Sequence, residues 1–364
     1  MCQAFAEYGK IVSKRLLTVF PTLLLAIAFI GTARSDIVMS TGFSGGEQML
    51  PFATMNLKED WTTSTWDFSM LVNARSQFDD GIGDAQAKAE WHGDTEVAPK
   101  TELELDIAYG FDRERTEAVK QFHIFRGDVG LEHEFENFRI KADVGAATRR
   151  FANTTQKGYS SLDRSGENLV DSESAVRVTL FQEAVFQPFV EAAFVERDYF
   201  DSPDRGFAGP ELIGGVTFAY PEFTGDFAVI FASRDVYVGK NVNVVGPYVD
   251  LKWLVRSGSE ISLGLGAGIE QDTSGLADLY PYYSGRFEVL QDVTPDLKMS
   301  FVLNAVVEKR ITGLETELSP TVTLTWTGDN GLGVFGSAGL TYAKIESLEA
   351  TSEPNFEIGL QWAF

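Results

Sequence analysis

The sequence predicts an all-β fold: a transmembrane antiparallel β-barrel of about sixteen strands, with short periplasmic turns and longer external loops. Three observations predict it. From about residue 66 to the C-terminus, apolar and polar side chains alternate one by one, giving each segment two chemically different faces. The segments reach about ten residues, the length a tilted strand needs to cross the hydrocarbon, whereas soluble sandwich strands are usually shorter. The connections alternate between very short and longer, as in barrels of the outer membrane.

Composition agrees. The 364 residues are 44% hydrophobic, with 34 glycines and 28 phenylalanines. The net charge of −23 repels phosphates and argues against a nucleic-acid partner. The apolar content is too high for a disordered acidic chain. Only one stretch approaches the ~20 apolar residues of a membrane helix.

That stretch is N-terminal. Residues 1–35 read as a signal peptide: Lys10, Lys14 and Arg15 precede the apolar run Leu16 to Ile30, and small residues follow. Cleavage after Ala33 or after Ser35 fits. Removing residues 1–35 takes away four bases (Lys10, Lys14, Arg15, Arg34) and one acid (Glu7), which leaves 26 bases, 52 acids and a net charge of −26. The single cysteine, Cys2, leaves too, which excludes disulfides and thiol chemistry in the mature chain. Residues 36–65 alternate poorly and read as a periplasmic N-terminal extension. Residues 66–364 read as the barrel.

The strands follow in order. Trp66 to Gln77 and a weaker segment at 85–93 form the first pair. In Thr101 to Asp112, Leu103, Leu105, Ile107, Tyr109 and Phe111 oppose Glu102, Glu104 and Asp106. The segment at 119–135 has ambiguous register, and Gly127 could mark a bulge. Later segments alternate clearly, for example Leu297 to Val307 against Lys298, Ser300 and Asn304. The total is sixteen, or fourteen if 85–93 is not a strand. Phe356, Ile358, Leu360, Trp362 and Phe364 end the chain on an aromatic residue. This looks like the terminal strand read by barrel-assembly machinery, with Trp362 and Phe364 as its signal.

The polar faces carry the candidate site. Glu102, Glu104, Asp106, Arg139, Lys141, Arg177, Glu191, Arg197, Arg234, Asp250, Lys252, Arg256, Arg286 and Glu288 are expected to line the lumen. Such mixed charge fits an open or gated pore better than its alternative, a lumen filled by ion pairs with no through-path. The longest external connection, 152–172, is a candidate constriction loop through Tyr159, Asp163, Arg164, Glu167 and Asp171, or else a surface loop.

The expected partners are outer-membrane lipid and lipopolysaccharide, the assembly machinery and small hydrophilic solutes. No enzyme is expected. The histidines are His92, His123 and His133, of which His123 could face the lumen, and no nucleophile elbow or His-Glu-x-x-His motif is present. Gly264, Gly266 and Gly268 lack the strand-to-helix context of a phosphate loop and read as small lumen-facing residues. No cofactor or metal is expected.

From Phe186 onward the chain resembles the second putative β-barrel porin family of proteobacterial outer membranes. The resemblance rests on Phe186 to Glu191, Glu196 to Tyr199, Gly214 to Val216, Gly225 to Phe227, Arg234 to Val236, Tyr248 to Trp253 and Gly359 to Phe364. It implies an outer-membrane barrel without catalytic residues, and some relatives are associated with exopolysaccharide export. The expected function is a porin-like channel for passive diffusion, mildly cation-preferring. The alternative is a structural or polysaccharide-export-associated barrel without free diffusion.

Overall fold

A computed structural model describes residues 34–45, 50–77, 84–115, 119–151, 168–200, 206–236, 241–256, 258–271, 279–310, 313–328, 330–346 and 350–363. These form one antiparallel sheet of eighteen strands. They are β1 (Arg34–Gly45), β2 (Leu50–Thr62), β3 (Asp67–Gln77), β4 (Ala85–Ala98), β5 (Thr101–Arg115), β6 (Val119–Glu134), β7 (Phe138–Phe151), β8 (Leu169–Leu180), β9 (Phe186–Tyr199), β10 (Phe207–Ala219), β11 (Phe223–Val236), β12 (Asn241–Arg256), β13 (Ser259–Gln271), β14 (Leu279–Thr294), β15 (Leu297–Arg310), β16 (Gly313–Thr327), β17 (Leu332–Ile345) and β18 (Thr351–Ala363).

Each strand pairs with its sequence neighbours, and β18 pairs with β1 from Val38–Ala363 to Gly45–Phe356. The sheet is therefore a closed barrel with no free edge. Closure matters because an unpaired backbone group in hydrocarbon costs several kcal/mol. A closed barrel also resists detergent unfolding. The unheated protein is expected to run at a different apparent size from the boiled protein on a denaturing gel, and identical migration would count against closure.

The strand number corrects the expected sixteen, and fourteen is excluded. The extra pair is β1 and β2, placed where a periplasmic extension was expected. Their pattern is hidden because both faces are mixed. β2 turns Ala53, Met55, Leu57 and Trp61 one way but includes Glu59 with them, and sets Phe52 among the polar residues of the other face. Cleavage of a leader after Ala33 would leave β1 whole; cleavage after Ser35 would remove its first two residues. The rest of the expected leader lies outside the described residues.

The weak 85–93 segment is part of β4, in continuous register with β3 and β5. Gly127 is no bulge, since β6 keeps register with both neighbours through it. Register shifts occur instead at Glu96/Ala98, Leu254/Arg256 and Asp292/Thr294, each beside a short turn. The connection between β15 and β16, at the rim away from the short turns, is only residues 311–312.

The two rims differ. At one rim lie the start of β1, the end of β18 and the short turns. At the turn between β2 and β3 the Thr63 hydroxyl accepts the Trp66 N–H at 2.9 Å. Gly258 takes φ +77° in a turn where a side chain would meet Asp292. All six tryptophans of the chain gather near this rim, at positions 61, 66, 91, 253, 326 and 362. Phe68 stacks on Trp61, Trp66 and Trp91 at 5.2–5.6 Å, and Phe135 on Phe138 at 4.3 Å. Such a girdle belongs at a membrane–water interface, where an amphipathic ring meets both media. It was not anticipated from the sequence, although all but Trp91 stand within three residues of a strand end; Trp91, midway along β4, joins the girdle through Phe68.

Candidate functional site: the barrel interior

The face opposite the exposed aliphatic residues is concave. Arg177 on β8 reaches Asp226 on β11, and Arg75 on β3 reaches Glu357 on β18, each across two intervening strands. Only the inside of a curved sheet permits such contacts.

The interior has three sectors. The first, over β3 to β9, is charged. Glu102, Glu104 and Asp106 project from β5. Lys141 on β7 donates to Glu104 at 2.5 Å and lies 3.8 Å from Asp143. Arg139 pairs with Glu132 at 3.3 Å. His92 contacts Asp106 at 2.8 Å and Asp94 at 3.5 Å. Arg177 is the hub: its guanidinium grips Asp226 at 2.9–3.1 Å, donates to Thr217 at 2.9 Å and sits 3.8 Å from Glu191. Two-pronged, charge-assisted geometry of this kind is the strong form of the contact. Arg197 pairs with Asp171 at 2.6 Å. A cavity of about 760 Å³ opens against this wall, lined by seven carboxylates (Glu90, Glu104, Asp106, Asp128, Asp143, Glu173, Glu191) and four lysines or arginines (Lys88, Arg126, Lys141, Arg177).

The second sector is apolar. Phe189, Ile213, Ala228, Ile230, Ala232 and Val244 form a buried cluster over β9 to β12, with Tyr248 against it. The Arg177 guanidinium covers Phe189 at 3.7 Å, joining the two sectors by a cation–π contact. Nearby, Arg234 is 5% exposed, pairs with Glu211 at 2.8 Å and donates to the Pro210 carbonyl at 3.1 Å. The β10–β11 ladder is interrupted at Gly209 and Pro210, where proline has no N–H to give, and Arg234 takes up the freed carbonyls. Gly268 is needed for space: a Cβ there would come within 2.7 Å of the Tyr282 ring. Gly264 and Gly266 have nothing nearer than 3.4 Å, so small residues there leave room rather than fit a neighbour.

The third sector is neutral and rich in hydroxyls. Thr321, Thr323, Thr325 and Thr327 share the inner face of β16, flanked by Ser300 and Asn304 on β15 and Ser337 on β17. At its border Arg286 pairs with Glu288 at 2.8 Å, and Lys252 with Glu260 at 2.8 Å.

Of the expected lumen residues, Glu102, Glu104, Asp106, Arg139, Lys141, Arg177, Glu191, Arg197, Arg234, Asp250, Lys252, Arg286 and Glu288 stand on this interior face by strand register. The Arg256 side chain lies outside the described residues. The structure brings together Glu104 with Lys141, Arg177 with Glu191, and Arg286 with Glu288; Asp250 lies opposite Asp226. Sequence reasoning missed Phe189 and the apolar sector, because it assigned every apolar face to lipid.

Tyr159, Asp163, Arg164 and Glu167 of the candidate constriction loop lie outside the described residues. Asp171 belongs to the wall, in β8, not to a loop. With eighteen strands this connection is the fourth at its rim. His123 is corrected as well: it pairs in register with Phe111 on the outer face, within 2.7 Å of the Tyr109 hydroxyl. Trp362 lies on β18 opposite Met39 and Leu332, and Phe364 is outside the described residues.

A closed antiparallel barrel with an apolar outside, an aromatic girdle and a charged interior is an outer-membrane-type β-barrel. A family model described as "Putative beta-barrel porin 2" matches residues 54–337, and the chain belongs to that family. No curated protein matches it. Among solved structures it is similar to the copper transporter OprC, at 10% identity and a TM-score of 0.49, over 87% of this chain and 62% of that one. It is also similar to the siderophore receptor PirA from Pseudomonas aeruginosa, at 10% identity and 0.46, over 92% and 81%. A third is the FrpB iron transporter from Neisseria meningitidis, at 8% identity and 0.46, over 92% and 82%. The chain thus spans less than two thirds of the copper transporter's length.

Proposed function

We propose that this barrel is a channel, not a catalyst, through which small hydrophilic solutes diffuse passively across the outer membrane, with a mild preference for cations. One observation carries the reading: a charged recess of about 760 Å³ is inside the barrel, partly exposed, and lined by more carboxylates than bases. Barrels of sixteen to eighteen strands are wide enough for an aqueous channel. A low-dielectric wall focuses the field of the excess carboxylates and raises the local cation concentration. The four bases of this recess, Lys88, Arg126, Lys141 and Arg177, are ion-paired, which keeps the preference mild. Insertion by the barrel-assembly machinery, signalled by Trp362 and Phe364, belongs to the same proposal.

A second reading has an observation in its favour. The apolar sector buries interior side chains, which narrows the lumen along β9 to β12. That suits a structural or polysaccharide-export-associated barrel without free diffusion. Proteoliposome swelling separates the two. Swelling should be rapid in arabinose and progressively slower in larger sugars. Absence of swelling in any sugar, with protein shown to be folded by its unheated gel migration, would favour the second reading.

A further inference from the structure

We propose a binding site for the phosphorylated headgroup of an outer-leaflet lipid on the outer surface of β15–β17, centred on Lys309 and Lys344. On β15, Leu303, Ala305 and Val307 face outward, and alternation brings Lys309 out on the same side. On β17, Leu340 and Tyr342 face outward, and Lys344 follows. Register is unshifted at both positions: Lys309 stands opposite Leu314, and Lys344 opposite Thr316. Both lysines are exposed, and both lie within two residues of the rim away from the short turns. Short turns are periplasmic in such barrels, so this is the rim of the outer leaflet.

The charge is unusual for this chain. The net charge is −23, and the interior lysines Lys58, Lys88, Lys141, Lys252 and Lys298 each lie within 4.0 Å of a carboxylate. Lys309 and Lys344 are not among the ion-paired bases of the described residues. Two inter-strand steps of ~4.8 Å and a two-residue stagger place their Cα atoms roughly 12 Å apart. Two flexible four-carbon stems can close that span onto one anionic group. Between them, on β16, Thr316 presents a hydroxyl on the same face, while the Glu346 carboxylate at the outermost corner is engaged by the Leu314 N–H at 3.1 Å. Towards the membrane centre the surface turns apolar through Val307, Leu318 and Tyr342, which suits acyl chains. Cationic and hydroxyl groups directly above an apolar strip match a phospholipid-like or glycolipid molecule better than a free anion. The inference rests on the outer-membrane placement and makes no use of conduction.

Native mass spectrometry of the detergent-purified barrel, with bisphosphorylated lipid A as probe, tests it. Wild type should retain the lipid through detergent removal in the gas phase, and phosphatidylcholine should be lost. K309Q/K344Q should weaken lipid A retention about thirtyfold, the combined effect of two basic residues on an anionic lipid surface. K309R/K344R should retain it, and K58Q/K100Q, with the same change in charge elsewhere, should behave as wild type. Unheated gel migration shows that each variant is folded. Unchanged retention in K309Q/K344Q, or equal retention of phosphatidylcholine, would overturn the site. Displacement of lipid A by millimolar inorganic phosphate would overturn the lipid assignment.

Discussion

Replacing Leu303 by arginine is expected to destabilise the folded barrel by roughly 2–4 kcal/mol, the range for a base on the lipid face near the bilayer midplane. Leu303 stands at the middle of β15, opposite Phe287 on β14 and Pro320 on β16. The neighbouring substitution V302R places the same side chain one residue away on the interior face. There it meets water and Glu288, its partner on β14. Its cost should be far smaller. Unfolding titrations in urea, with heat-modifiable migration as the readout, measure both. Equal costs at 302 and 303 would mean that the faces are assigned the wrong way.

The second large effect is expected at Arg177. R177M removes the guanidinium that grips Asp226, whose side chain is 14% exposed, and uncovers Phe189. Stripping one partner from a fully buried pair costs about 3–5 kcal/mol. Here the guanidinium is 25% exposed and water reaches the pair, so about 2–3 kcal/mol is expected. R177M/D226L removes both charges and should recover part of the loss, because Asp226 is then no longer stranded, while Glu191, 3.8 Å from the guanidinium, still loses its base. A double variant as unstable as R177M alone would show that the guanidinium acts through its packing on Phe189 and not through Asp226.

Much of this barrel is legible in the sequence because a strand with one face in lipid and one in water must alternate. Leu103 to Phe111 and Leu297 to Val307 show this without ambiguity. The reading fails where the interior is itself apolar. Phe52 hides β2, Phe122 and Ile124 blur β6, and Phe189 and Ile230 belong to an interior cluster that polarity alone does not reveal. Pairing is the other gap. Periodicity places Arg139 and Lys141 inside, but it is curvature that brings Lys141 to Glu104 across β6 and Arg177 to Asp226 across two strands. The tryptophan girdle is a third case. Its members are scattered from residue 61 to residue 362 and come to one rim only when turns and strands are in register.

Conduction through the charged interior is read by a planar-bilayer recording. Purified, unheated barrel inserted between 0.1 M and 1 M potassium chloride should give discrete conductance steps. The reversal potential should show a modest preference for cations that is stronger when both salts are dilute, as the screening length lengthens from about 3 Å at 1 M to about 10 Å at 0.1 M. No conductance from protein that still shows its folded gel mobility would contradict the channel.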